Sequence, residues 1–271
     1  MSIKNILCAY SGDAARGSGL DHAIKLARQY DAHLTGVLRY TAPSIERRFG
    51  MRLPDDLINL LHENDRSRIE DVTKRFGEKV AAAGLTEKST FLELSRRDQI
   101  PLSHFARAFD LIVTGVHSDA TDEDHLSAHP DLIALHSGRP VLVVPNGYTA
   151  EGLAERVLVA WDGRRAVARA VGDAMDVLAE KVGVTLVTVG ETPQGTETML
   201  ENLRRHGVTA EARTVERSGS IAETLLQAAA ADDAKLIVMG AFEHSKFTHD
   251  LMGGVTTDLT AIADVPVFMA H

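Results

Sequence analysis

An internal repeat constrains the fold of this 271-residue chain more than any other feature. Three pairs of segments match: NILCAYSG at 5–12 with RVLVAWDG at 156–163, DLIVTG at 110–115 with KLIVMG at 235–240, and RPVLVVP at 139–145 with VPVFMAH at 265–271. The offset falls from 151 residues in the first pair to about 125 in the others, so the first copy carries some 26 extra residues. A unit that occurs twice predicts two related domains.

The repeat places the domains at about 1–147 and 153–271, with a polar connection between them. The extra length of the first copy lies at about 41–83. Its latter part has apolar residues on one helical stripe, namely Ile69, Val72, Phe76 and Val80. This spacing predicts an amphipathic helical insertion in the N-terminal domain.

Each copy alternates short β-branched apolar runs with helical patterns. Runs such as VLVAW, VTLVTV and LIVMG are almost continuously apolar, which is typical of parallel strands that are buried on both faces. The sequence therefore predicts an α/β fold with two doubly wound, Rossmann-like parallel-sheet domains in tandem. Ligands of such sheets bind beyond the carboxyl ends of the strands, where Asp162 and Gly240 fall.

Composition excludes several classes of protein. The net charge of −9 and the pI of about 5.7 argue against a nucleic-acid-binding protein. No apolar run approaches the roughly 18 residues that a membrane span needs, and the N-terminus lacks a secretory signal. We therefore expect a cytoplasmic protein without a membrane span. The single cysteine, Cys8, lies in an apolar run and is expected to be a buried hydrophobic residue.

Asp162 directly follows the first strand of the second copy. A carboxylate at this strand end can accept hydrogen bonds from a ribose. An aspartate here can equally well cap the turn before the next helix, and the spacing does not separate these interpretations. The first copy has Ser11 at the corresponding position, which brings no charge.

Gly253 and Gly254 precede a helix candidate that has Thr256 near its start. Backbone N–H groups at a helix N-terminus attract anions, and glycine allows a phosphate close to the backbone. Glycine before a helix is also common in an ordinary turn. The glycine pair alone therefore does not establish phosphate binding.

The matching strands and this glycine loop resemble the universal stress protein family in its tandem two-domain form. The resemblance extends over nearly the whole chain. In ATP-binding members, the fourth strand leads into a pattern of Gly, two residues, Gly, nine residues, Gly and Ser or Thr. The resemblance implies that Asp162 contacts adenosine and that the loop from Gly240 to Thr256 wraps the phosphates. It also implies that four residues line the adenosine pocket or its mouth: Ala160, Val189, Met239 and Val255.

Two positions of the C-terminal loop depart from the family pattern. Glu243 stands at the second glycine position and Gly254 at the Ser/Thr position, while Gly253 fits. A carboxylate about 4 Å from a phosphate charge would cost about 4 kcal/mol at an effective dielectric of 20. Unless Lys246, a divalent cation such as Mg²⁺ or an outward turn of Glu243 compensates, a nucleotide with fewer phosphates than ATP is favoured.

The N-terminal loop has diverged further. Ser118, Ala128 and His129 replace the family residues, and four acids lie between 119 and 124. We expect this half not to bind ATP. Four histidines, His117, His125, His129 and His136, gather in and near this loop. Apart from the loose His125–His129 pair, their spacing fits no paired-ligand pattern, so we expect no metal site.

The sequence favours a binding protein over an enzyme, because it has no nucleophile or hydrolase motif and no poised acid–base pair. We expect a tandem stress-response protein that binds ATP or another adenine nucleotide in its C-terminal domain and signals to a protein partner. The resemblance implies that VLVVP and VFMAH pair within the chain, and makes a further homodimer an expectation. One alternative is a slow ATP hydrolase that uses the same pocket, with Glu243 activating water. The other is a scaffold that binds no nucleotide and acts through the helical insertion.

Overall fold

The structure, a computed structural model, describes seven segments of the chain. They are residues 3–12, 18–39, 54–94, 100–116, 129–149, 155–241 and 254–271.

The described segments contain ten strands and nine α-helices. The strands are β1 Asn5–Ala9, β2 His33–Arg39, β3 Ser89–Leu94, β4 Leu111–Gly115, β5 Val141–Val144, β6 Arg156–Ala160, β7 Gly183–Val189, β8 Ala210–Val215, β9 Ala234–Gly240 and β10 Val267–Ala270. The helices are α1 Ser18–Tyr30, α2 Asp55–Ala82, α3 Leu102–Phe105, α4 Pro130–Ser137, α5 Arg165–Asp173, α6 Met175–Leu178, α7 Thr196–Arg205, α8 Ile221–Ala231 and α9 Val255–Ile262. Among these helices, none has the length and apolarity to cross a bilayer.

The strands form one sheet in the order β3-β2-β1-β4-β5-β10-β9-β6-β7-β8. Each half of the sheet has the same internal order, and all strands within a half are parallel. The halves meet where β5 and β10 pair antiparallel, with Phe268 opposite Leu142. The predicted fold class is confirmed, and the last strands of the two copies pair within one chain.

Both faces of the sheet are covered by helices, as the apolar strands predict. In β6, Val157 and Val159 belong to the cluster on one face and Leu158 to the cluster on the other. The first cluster includes residues of α1, α2, α5 and α7, and the second includes residues of α3, α4, α8 and α9. Cys8 is fully buried among these residues, and burial raises the pKa of its thiol to about 12, so it behaves as a small hydrophobic residue.

Helix α2 carries the extra length of the N-terminal half. It has 28 residues, whereas α7, at the same place in the second half, has 10. Val72, Phe76 and Val80 are buried and Ile69 packs against them, which confirms the predicted stripe. The beginning of α2 is more exposed to solvent, since Leu60 there is 61% exposed.

Candidate functional site

The carboxyl end of β6 lies at the point where the strand order of the C-terminal half reverses. Ala160, the last residue of β6, is aligned with Val187 of β7 on one side and with Met239 of β9 on the other. The chain leaves β6 toward β7 and later returns on the opposite side through β9. Parallel sheets bind ligands in the crevice at such a switch point, so this is the candidate site.

An apolar surface lines the candidate site. Met239 belongs to the core cluster on one face of the sheet, and Ala160, Val189 and Val255 pack against that same cluster. Met239 is buried, whereas the other three are only partly buried. The ends of three adjacent strands and the start of α9 thus present small apolar side chains on one face. Such a surface suits a flat apolar ring such as a purine.

Asp162 lies two residues beyond β6 and its side chain is 51% exposed. The backbone N–H of Arg164 donates to its Oδ1 at 3.0 Å, and the Nε of Arg164 lies 4.0 Å from its Oδ2. Asp162 therefore stabilises the turn before α5, which agrees with the interpretation that it caps this turn. An ionised carboxylate has about four lone-pair sites, so this turn leaves acceptor capacity for a ligand hydroxyl.

Trp161 is a residue of this site to which sequence reasoning assigned no role. It is buried, its backbone N–H donates to the carbonyl of Val187 at 2.9 Å, and the hydroxyl of Thr188 donates to its carbonyl at 2.7 Å. Its indole Nε1 donates to Oγ1 of Thr196 at 2.9 Å, at the first residue of α7. Trp161 thus fixes the end of β6 that carries Asp162. In the sequence, the only feature that distinguishes Trp161 is that it is the single tryptophan of the chain.

Gly240 ends β9 and lies against the first turn of α5. A Cβ at this position would lie 2.5 Å from the backbone nitrogen of Val167 and 2.7 Å from the carbonyl carbon of Ala166. Real Cβ atoms do not approach backbone so closely. Helix packing by itself therefore requires glycine here, whether or not a ligand binds.

The start of α9 supplies backbone N–H groups to the site. Gly254 is its exposed N-cap, and within the described segments no side chain caps this helix end. Backbone N–H groups at a helix start can donate to a phosphate. Thr256 is 7% exposed. Glu243 and Gly253 lie outside the described residues, so the phosphate-wrapping role of the loop stays a prediction.

The corresponding strand end of the N-terminal half is packed differently. Gly12, which matches Gly163, has a φ of +77°, and a Cβ on it would lie 2.2 Å from Cγ2 of Val72. Arg75 donates from its guanidinium to the carbonyl of Gly12 at 3.0 Å. Helix α2 therefore covers the end of β1.

The N-terminal loop that carries Ser118 and Ala128 lies outside the described residues, as do His117, His125 and the acids at 119–124. His129 is the N-cap of α4. Within the described part of the chain, no group of three or more His, Cys, Asp or Glu residues could hold a metal ion.

Comparisons with known proteins add to this geometry. A family model described as "Universal stress protein family" matches residues 154–271. A search of curated protein sequences gave no match. A universal stress protein from Archaeoglobus fulgidus matches with a TM-score of 0.71 and 18% identity, over 100% of this chain and 96% of that one. A functionally unknown protein from Pseudomonas aeruginosa matches with a TM-score of 0.58 and 16% identity, over 99% of this chain and 92% of that one. These structures share the fold of the whole chain.

Proposed function

Residues 154–271 belong to the universal stress protein family and the N-terminal half repeats their fold, and from this premise we propose that the chain binds an adenine nucleotide. The nucleotide occupies the crevice between the ends of β6 and β9. The protein acts in a stress response as a binding and signalling protein, in which the bound nucleotide selects the state that a protein partner recognises.

The observation that carries this proposal is the apolar surface beside Asp162. The adenine ring packs on Ala160, Val189 and Val255, which are partly exposed beside the buried Met239. Asp162 accepts a hydrogen bond from a ribose hydroxyl through the lone pairs that the turn leaves open. The N–H groups at the start of α9 donate to the phosphates.

The negative charge of Glu243 determines which adenine nucleotide binds most tightly. Glu243 would repel the terminal phosphate of ATP, so ADP or AMP binds more tightly than ATP when Mg²⁺ is absent. Mg²⁺ between the carboxylate and the phosphates reverses part of this repulsion, so ATP gains more affinity from Mg²⁺ than AMP does.

Isothermal titration calorimetry of the full chain with ATP, ADP and AMP, each with and without Mg²⁺, tests the proposal. We expect Asp162→Ala to weaken the binding of the tightest nucleotide by about tenfold or more, because a charge-assisted hydrogen bond is lost. Glu201→Gln is the matched control. It removes one negative charge from the exposed face of α7, where Glu201 pairs with Arg205 at 3.3 Å, and should leave affinity unchanged.

Other outcomes would favour the alternatives. Absence of binding heat with every nucleotide would contradict the proposal and favour a scaffold that acts through α2, whose Leu60 is exposed. Release of phosphate during the titration, abolished in Glu243→Gln, would favour the slow hydrolase.

A further inference from the structure

A second cleft lies in the N-terminal half, away from the residues proposed to hold the nucleotide. It has a volume of about 490 Å³ and lies where α1, the C-terminal end of α2 and the link after β5 meet. We call it the α1–α2 cleft and define it by Asp21, His22, Lys25, Arg28, Lys79 and Tyr148. Small-molecule sites typically occupy roughly 300–1,000 Å³, so this volume suits a small organic ligand.

The charges of the α1–α2 cleft oppose those of the whole protein. Lys25, Arg28 and Lys79 bring three positive charges to its lining, and Asp21 is the one acid among the described lining residues. Asp21 forms an ion pair with Lys79 that joins α1 to α2. The lining therefore has a surplus of two positive charges in a chain whose net charge is −9. A local cationic surface in an acidic protein attracts anions.

His22 is the one buried polar residue among the described residues that line the cleft. Its side chain lines the cleft but is only 7% exposed, and its Nδ1 is buried without a hydrogen-bond partner. A buried polar atom without a partner is costly and uncommon in a folded protein. Burial, together with the smaller effects of the positive charges of Lys181 and Lys25, lowers the pKa of His22 to about 4, so the ring is neutral at pH 7.

The remaining lining residues suit a flat apolar group. The ring of Tyr148 lies 6.0 Å from that of His22, with the two planes inclined by 47°. Ile24, Ala82 and Ala83 add aliphatic surface to the cleft. An aromatic ring can pack against the outer surface of these groups while its anionic substituent faces the basic side chains.

We propose that the α1–α2 cleft is a second binding site, which takes a small aromatic anion such as a phosphate ester. The anionic group pairs with Lys25 and Arg28 and competes with Asp21 for Lys79. The aromatic ring packs against Tyr148 and His22. This site is distinct from the proposed nucleotide crevice, because the two share no residue.

The test uses phenyl phosphate as the probe and the full chain carrying ¹³C-labelled histidine, at low salt. The ring signal of His22 is assigned by its loss in His22→Gln. We expect phenyl phosphate to shift this signal in a saturable way, and inorganic phosphate and phenol to shift it much less. The double variant Lys25→Gln/Arg28→Gln should weaken phenyl phosphate by about tenfold or more, because charged pairing is lost. Asp21→Asn should strengthen binding, since Lys79 is released.

Two control variants make the result decisive. Lys74→Gln removes a positive charge from a 75% exposed side chain of α2 outside the cleft and should leave the affinity unchanged. Asp162→Ala should also leave it unchanged, which keeps this test separate from that of the nucleotide crevice. No shift of the His22 signal at 10 mM phenyl phosphate, equal affinity in the double variant, or loss of binding in Asp162→Ala would each overturn the proposal.

Discussion

His22 makes the stability of the protein dependent on pH. Its folded-state pKa is about 4, against 6.5 for the unperturbed side chain, chiefly because the ring is buried. Below pH 6.5 His22 of the unfolded chain binds a proton, whereas His22 of the folded chain binds it only below about pH 4. The stability that depends on neutral His22 is therefore fully present above pH 6.5 and is lost as the pH falls toward 4.

This effect is measurable by urea unfolding at pH 7.5 and pH 5. Between these values we expect His22 to account for about 2 kcal/mol of the loss in unfolding free energy, at 1.36 kcal/mol per pH unit. His22→Leu should remove this part of the loss. His206→Leu is the control for replacing a histidine by leucine, because His206 is exposed at the end of α7. Equal pH dependence in wild type and His22→Leu would contradict the account.

At the scale of elements, the contact between the end of β9 and the start of α5 shapes the crevice. Gly240→Ala places a methyl group 2.5 Å from the backbone nitrogen of Val167, so the strand or the helix must shift. We expect a loss of about 1–3 kcal/mol in unfolding free energy, as overpacking typically costs. Fluorescence of Trp161 during urea unfolding measures this directly in the C-terminal half.

Gly172→Ala is the matched control for Gly240→Ala. Gly172 lies in α5, and a Cβ there would meet nothing within 4 Å. Alanine favours a helix over glycine by about 0.5–1 kcal/mol, so this variant should be more stable than wild type. A Gly240→Ala protein as stable as Gly172→Ala would show that the contact does not constrain the fold.

The sequence predicted much of the architecture, because buried parallel strands are visible as continuous apolar runs. The matches between 5–12 and 156–163 predicted β1 and β6, and the stripe from Ile69 to Val80 predicted the second part of α2. The cover that α2 forms over β1 was not predictable. Arg75 and Gly12 are 63 residues apart, and such a contact leaves no periodic signal.

The candidate site was predictable only in outline. The end of β6 lies beside the end of β9 because of the strand order. The repeat and the alternation of strands and helices implied this arrangement. The hydrogen bond from Trp161 to Thr196 depends on how α7 packs, and no spacing along the chain encodes it. The roles of Glu243 and Gly253 stay predictions.

For the whole molecule, the antiparallel pairing of β5 with β10 joins the two halves in one sheet. Leu142 of the N-terminal half is aligned with Phe268 of the C-terminal half, and both are buried. Although Leu142 belongs to the N-terminal half, Leu142→Ala should therefore also destabilise the C-terminal half. We expect a loss of about 2–4 kcal/mol in the unfolding free energy reported by Trp161 fluorescence.

Leu34→Ala in β2 serves as the comparison for Leu142→Ala. Leu34 is also buried in the N-terminal half but lies in a strand away from the junction. Far-UV circular dichroism should detect the destabilisation in both variants. If the Trp161 transition of Leu142→Ala coincided with that of wild type, the halves would be energetically independent.

The central claim, that the C-terminal half binds an adenine nucleotide, is tested most directly by a crystal structure of the full chain grown with ADP. The account predicts electron density for adenine against Ala160 and Val189, a ribose hydroxyl within hydrogen-bond distance of Asp162, and phosphates at the start of α9. Side chains that fill the crevice, or ADP bound only outside it, would contradict it.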